Sequence, residues 1–320
     1  MTIKGTIKSI GAKLLDSTGI LDYSWNQDPS WRILMYHRVC KPEELTYPIQ
    51  AGMYVRPETF QMHCEFLKNN SNVVLVDELV EKLIKNEPLP KRTVAITFDD
   101  GWRDNLKNAF PVLKALSLPA TVFLPTDFID TSKLFWTDQV ARALTFNPEV
   151  FLAQKEFQNL ASLPTEEKLE LVINTLFSLP LEKRDELLTR LINNLPINTI
   201  RGFLNWQEVS TLESFGIKVG SHSHTHRLFS ELSKEERLEE LKESREILSS
   251  KSLLSSNIFV FPGGAHTLEI GEECLKSGYL ASLKTTPSPI LGSAVFPRVG
   301  IHQDISTSQS LFKFRICYQR

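Results

Sequence analysis

The sequence predicts an α/β fold whose largely parallel sheet is closed, or nearly closed, into a barrel of seven or eight strands. Short runs rich in β-branched and aromatic residues recur along the chain, and several are apolar throughout, as strands covered on both faces must be. Amphipathic patterns of helical period separate most of them, and strand-helix alternation implies parallel pairing. Two of the runs end abruptly in ionisable residues, "TFDDG" and "GSHSHTH", and the C-terminal ends of the strands are where a parallel barrel carries its chemistry.

The elements follow in order. Residues 1–30 form an N-terminal amphipathic segment, in which Ile3, Ile7, Ile10 and Leu14 fall at helical spacing with Lys4, Lys8 and Lys13 between them. Such a helix could lie on a membrane surface; Gly5 and Gly11 in its middle favour the alternative, a helix packed on the domain. The barrel occupies 31–320. Its strand runs are "RILMYHRV", "VVLVDE", "TVAITFDDG", "ATVFLPT", "IKVGSHS", "IFVFPGG", "YLASLKTT" and "AVFPRVGI". Helices are expected at "PETFQMHCEFLKNN", "NAFPVLKALS" and "SKEERLEELKESREILSS". In the last, Ser233 and Glu236 make a capping box, and the charges that follow suit a solvated face better than a binding surface. From about 131 to 200 the rhythm changes to a leucine-rich helical insertion, punctuated by Pro164, Pro180 and Pro196, which either caps the site or is purely structural.

Composition narrows the function. A net charge of −2 gives no electrostatic reason to expect a nucleic-acid partner, so a small or neutral ligand is expected. Cys40, Cys64, Cys274 and Cys317 are widely spaced and form no CxxC pair, which points to a reducing compartment rather than a disulfide framework or zinc ribbon. The N-terminal stretch lacks the apolar run of a secretory signal, and no later stretch is long and apolar enough to span a bilayer. The expected setting is the cytoplasm, with peripheral contact at the inner membrane surface left open by the N-terminal segment.

In a regular strand Asp99 and Asp100 would point to opposite faces, so both can serve one site only where the strand ends, as Gly101 marks. His222 and His226 are four apart, which on a helical turn or tight loop brings two imidazoles to one side. A borderline-soft divalent ion accepts such nitrogens with a carboxylate and keeps positions open for water and substrate. His37 ends a third apolar run, where a core or surface histidine is the plainer reading, and Cys40 beside it is a weak candidate nucleophile.

Together "TFDDG" and "HSHTH" resemble the polysaccharide deacetylases, also called the NodB-homology or carbohydrate esterase 4 family. "LMYHRV", "TFDDGWRDN", "PVLKAL", "LPATVFL", "GIKVGSHSHTH" and "FVFPGG" follow the family's order from Ile33 to Val299, apart from the insertion. The resemblance implies a distorted (β/α)7-8 barrel of the NodB-homology type with one divalent metal ion, commonly Zn2+, at its mouth. It implies Asp99 as catalytic base, Asp100, His222 and His226 as metal ligands, and His224 as a bystander. In the branch that opens with a "YH" strand, it implies His37 as the acid, with His302 a weaker competitor; His63 and His266 receive no role. The activity implied is removal of an N-acyl group, foremost acetyl, from an amino sugar of a polysaccharide or a lipid-linked or nucleotide-linked precursor.

The chain departs from the family's "RxPY" motif: "FVFPGG" has Val260 in the Arg position and Gly263 in the Tyr position. Arg298 in "FPRVGI" is the candidate to orient the aspartate instead, and the Gly263 N–H can still donate to an oxyanion. Two rival readings remain at this stage. An inactive glycan-binding relative would account for the missing Arg and Tyr, whereas a metal-dependent glycosyltransferase would use the aspartates but not the histidine pair.

Overall fold

Parallel pairing runs through the whole main sheet of the computed structural model, which describes residues 3–28, 30–193, 195–264, 266–285 and 294–318. Its strands are β1 (Arg32–Tyr36), β2 (Asn72–Val74), β3 (Thr93–Phe98), β4 (Thr121–Leu124), β5 (Lys218–Ser221), β6 (Ser255–Val260), β7 (Ala281–Lys284), β8 (Val295–Pro297) and β9 (Val299–Gly300). The order is β8-β7-β6-β5-β4-β3-β1-β9, with β2 pairing β3 off this path. The two end strands are consecutive in the chain and separated only by Arg298. On one side of that residue Val295 pairs Ser282; on the other Val299 pairs Leu34. One extended run therefore joins the two edges of the sheet and completes the α/β barrel.

Strands β1, β3, β4 and β7 are buried along their length because they separate two apolar layers. Ile33, Ala95, Phe123, Ile258 and Leu283 share one cluster, while Leu34, Ile96, Phe98 and Val122 share another with Phe60 and Phe312 from surrounding helices. This is the two-residue period of a strand, with alternate side chains facing the barrel interior and the outer helical layer. Helix Val76–Ile84 contributes Val76, Leu79 and Val80 to the interior cluster, and its Asp77 lies 3.3 Å from Lys218 at the start of β5. It plugs the N-terminal end of the barrel. The run "VVLVDE" is thus strand only to Val74, because its remaining apolar residues have helical spacing and turn inward as a plug.

Helices Trp136–Phe146, Thr165–Ser178 and Leu181–Ile192 lie between β4 and β5 and gather around their own cluster, including Val140, Phe151, Val172, Leu176 and Leu191. Pro164 and Pro180 stand at the N-caps of two of them. The N-terminal helix Ile3–Ser17 packs through Ala12 and Asp16, the latter accepting from Lys313 at 2.8 Å and Ser310 at 2.6 Å on the C-terminal helix Gln309–Tyr318. Its Ile7, Ile10 and Leu14 face outward, 65%, 63% and 64% exposed.

The loop that supports the site is secured by Glu208. Its carboxylate receives Arg201, Arg103 at 2.8 Å and the Asn205 N–H at 3.0 Å, and Asn205 caps the following helix in return. Burial raises the Glu208 pKa, but these donors outweigh it and bring it down to about 2. A depressed carboxylate stabilises the fold above its unfolded pKa and loses that contribution as pH falls toward the folded value. Glu208→Gln should therefore cost about 1–3 kcal/mol in urea denaturation at pH 7. The gap between wild type and variant should close between roughly pH 4.5 and pH 2, and a gap independent of pH would contradict this account.

Candidate active site

β3 stays in register through the Asp99 N–H, which donates to the Tyr36 carbonyl at 2.9 Å, and then turns sharply. Asp100 and Gly101 both adopt left-handed backbone, with φ of 72° and 65°. That turn brings two neighbouring carboxylates to one site, and it requires glycine at 101, where a Cβ would stand 2.7 Å from Leu124 Cδ2.

The histidines leave β5 on a loop rather than a helix. His222 donates its N–H to the Leu124 carbonyl at 3.0 Å, and Ser223 and His226 then take φ of 66° and 60°. Ser223 Oγ accepts the His226 N–H at 3.0 Å, and buried Glu240 accepts the N–H groups of His224 and Thr225, both at 2.8 Å. These bonds return His226 to the side occupied by His222.

Asp100 Oδ1 lies 3.4 Å from His222 Nε2 and 3.3 Å from His226 Nε2. Two ligands of one tetrahedral ion stand about that far apart when each bond is about 2.0–2.1 Å. His222 Nδ1 is 2.9 Å from the Val260 carbonyl, which can only accept, so the neutral ring keeps its lone pair on Nε2. Trp102 Nε1 donates to the other Asp100 oxygen at 3.0 Å, and the His226 ring stacks on Phe135 with centroids 4.1 Å apart. The three donor atoms lie within 4.8 Å of one another, and both chemistry and orientation fit a borderline divalent cation.

Burial works against the Asp100 charge, but His222 and His226 hold its carboxyl well below the usual range. Burial likewise opposes the His222 charge, while Asp99 and Asp100 raise that imidazole. Asp99 lies beside this set in a different pairing. Arg298 reaches it with two nitrogens, at 2.6 and 2.7 Å, and both side chains are buried. Burial alone would raise Asp99; Arg298, followed by His222, brings it below the ordinary aspartate value. Asp99 is thus held by a guanidinium from the residue at the barrel's seam.

His37 Nε2 stands 3.9 Å from Asp99 Oδ2, outside hydrogen-bond distance, at the mouth of the same cavity. Burial lowers its pKa, with Asp100 and then Asp99 pulling the other way. Gly263 also lines the cavity, with φ of 63° and a Cβ position 2.6 Å from Leu228 Cδ2. The other histidines are directed elsewhere. His224 meets Thr126 and Glu243, His302 pairs with Asp304, His63 is buried between Tyr36 and the Ser306 carbonyl, and His266 bonds the Gly264 carbonyl. Burial pushes the Cys40 thiol up to about 12, which leaves it inert as a nucleophile.

The cavity has a volume of about 380 Å³ and is shared between the barrel and the insertion. Sequence reasoning did not single out Trp102, Phe135 or the Val260 carbonyl. Trp102 had a usable signal, an indole donor directly after the acidic turn, whereas Phe135 and Val260 arrive through tertiary packing alone.

A family model described as polysaccharide deacetylase matches residues 86–281. The chain belongs to the polysaccharide deacetylase family. Among curated relatives, YxkH of Bacillus subtilis is 32% identical over 93 residues, 29% of this chain and 30% of that protein. The poly-β-1,6-N-acetyl-D-glucosamine N-deacetylase of Staphylococcus epidermidis is 31% identical over 140 residues, 41% of this chain and 47% of that protein. The matches thus span less than half the length of either relative. Two solved structures share the fold: IcaB from Ammonifex degensii, with TM-score 0.59 and 17% identity over 92% of this chain and 99% of that one, and the Streptococcus pyogenes deacetylase PplD, with 0.58 and 17% over 90% and 96%.

If Trp102 fixes the carboxylate that a divalent ion would meet at this site, Trp102→Phe should weaken divalent-ion affinity about 10–100-fold in chelator competition. Far-ultraviolet circular dichroism should be unchanged. Equal affinities would show that the indole bond does not orient Asp100.

Proposed function

We propose that the protein is a metal-dependent hydrolase that removes an N-acyl group, foremost acetyl, from an amino sugar of a polysaccharide or glycan precursor. The observation that carries this reading is one cavity holding an Asp-His-His donor set beside a second aspartate that is paired with arginine. The printed activity of the Staphylococcus epidermidis relative supports an N-acetylated glycan as substrate. A divalent ion, Zn2+ by the character of its donors, would be held by Asp100, His222 and His226, where it would polarise the acyl carbonyl and acidify water.

In this reading Asp99 accepts the proton of the water whose oxygen bonds to the carbonyl carbon, and Arg298 keeps the carboxylate ionised and oriented. Breaking the C–N bond requires a proton on nitrogen, because an amide anion is a very poor leaving group. His37 is placed to deliver it. In this reading the proton taken up by Asp99 passes to the His37 imidazole, whose Nε2 stands 3.9 Å away, and from there to the leaving nitrogen. The Gly263 N–H serves the oxyanion, a role that needs no side chain. The products are the free amine and the carboxylic acid, with the water proton carried to nitrogen.

The setting proposed is a reducing, cytoplasm-facing one, supported by four cysteines that are all free and buried thiols. There a lipid-linked or nucleotide-linked amino sugar is the proposed substrate form. The outward stripe of Ile7, Ile10 and Leu14, flanked by exposed Lys8 and Lys13, supports peripheral contact with an anionic lipid surface. The face opposite the stripe is the one engaged by the C-terminal helix, so the stripe is available while the helix stays packed.

Metal content and amine release from chitooligosaccharides test the chemistry. Asp99→Asn should keep about one ion per chain and lose at least roughly 100-fold in turnover, while His226→Ala should lose both metal and turnover. A protein that binds no divalent ion would sink the mechanism. Vesicle flotation tests the setting: wild type should float with phosphatidylglycerol vesicles and far less with phosphatidylcholine, and Ile7→Ser/Ile10→Ser/Leu14→Ser should remain in solution. Equal behaviour of wild type and the triple variant would remove the helix from the reading.

A further inference from the structure

The cavity over the site has two walls of unlike chemistry. The barrel wall carries His37, Asp99, Asp100, His222 and His226. The facing wall belongs to the insertion and presents Trp136, Phe177, Leu181 and Leu188. It begins beside the chemistry, because Trp136 directly follows Phe135, the ring stacked on His226.

Two of these side chains, Phe177 and Leu181, lie outside the insertion's own core. Phe177 meets Trp136 edge-on at 4.9 Å and remains 46% exposed, and Leu181 is partly exposed at the start of its helix. Arg184 stands between Leu181 and Leu188 on the same helical face and would make the wall polar if its charge were free. Instead Glu231 takes the guanidinium with two contacts, both of 2.7 Å, which also ties the helix to the chain just beyond His226. The wall therefore carries an apolar strip of Trp136, Phe177, Leu181 and Leu188 that is held in place, with Thr137 and the Asp185 carboxylate beside it. A hydroxyl-rich glycan strand would leave much of it wet, whereas an apolar chain would cover it.

We infer that the insertion forms a subsite for an alkyl or prenyl-type chain attached to the amino sugar, either as its glycosidic carrier or as its N-acyl group. This rests on the deacetylase reading of the site. The substrate class is thus an amphiphilic amino sugar whose polar end meets the barrel wall and whose apolar end meets the insertion.

The test uses two homologous series below their micelle concentrations: methyl, butyl, hexyl and octyl N-acetyl-β-D-glucosaminides, and N-acetyl, N-butanoyl and N-octanoyl glucosamine. Binding is measured by calorimetry on Asp99→Asn, and amine release on the otherwise wild-type chain. Affinity should rise in at least one series, on the order of fourfold for each methylene that reaches the wall. The series that rises identifies the source of the chain. Adding Phe177→Ser and Leu181→Ser should flatten that rise and leave binding and turnover of the methyl glycoside and the melting temperature unchanged. A flat dependence in both series overturns the proposal, as does a loss in the double variant that is equal for methyl and octyl glycosides, which would make the wall a sugar platform. A rising binding series without any amine release would refute the deacetylase reading and leave the subsite standing.

Discussion

The buried pair between Arg298 and Asp99 is the interaction on which the site depends. Both side chains are withdrawn from water, and an unpaired charge at that depth would cost several kcal/mol. Pairing through two nitrogens and two oxygens satisfies the geometry of both groups at once. Arg298 is also the single residue between the strand that pairs β7 and the strand that pairs β1. Its reach to Asp99 exists only when the two edges of the sheet have been brought together, so closure of the barrel and preparation of the aspartate are one event.

The second constraint is the convergence of ionisable side chains at Asp100. Two imidazoles and a carboxylate converge in a space from which water is largely excluded, and none can turn away without losing a fixed partner. His222 is tied to the Val260 carbonyl, Asp100 to the Trp102 indole, and His226 to the Phe135 ring. The Trp102 ring in turn stacks on Phe203 at 4.4 Å, in the loop that Glu208 secures. In the proposed metal site such outer contacts would orient the ligands before an ion binds and so lower the ordering cost of binding it.

How much of this was legible in the sequence depended on whether the cause was local. Strand ends at Phe98 and Ser221 were readable because apolar runs stop at Gly, Asp and His, and Ser233 with Glu236 was readable because a cap is a matter of a few residues. "VVLVDE" misled because a short apolar run has no period long enough to separate a strand from a buried helix. The pairing of Arg298 with Asp99 spans 199 residues and was accessible only as a substitution for a missing motif residue. Phe135 carried no signal at all, since what matters is the ring it meets after the insertion docks.

The insertion gives the fold a degree of freedom that the barrel lacks. Barrel strands must satisfy inward and outward packing at alternate residues, which leaves little room to vary side chains near the mouth without disturbing the core. The insertion carries its own apolar cluster and meets the barrel at a few points, among them Phe135 and the pair of Arg184 with Glu231. Its cavity-facing Phe177 and Leu181, which lie outside that cluster, can therefore change while both cores persist. Chemistry is assigned to the rigid element, where sub-ångström placement matters, and the chemical character of what lies opposite is assigned to the element whose surface is free to differ.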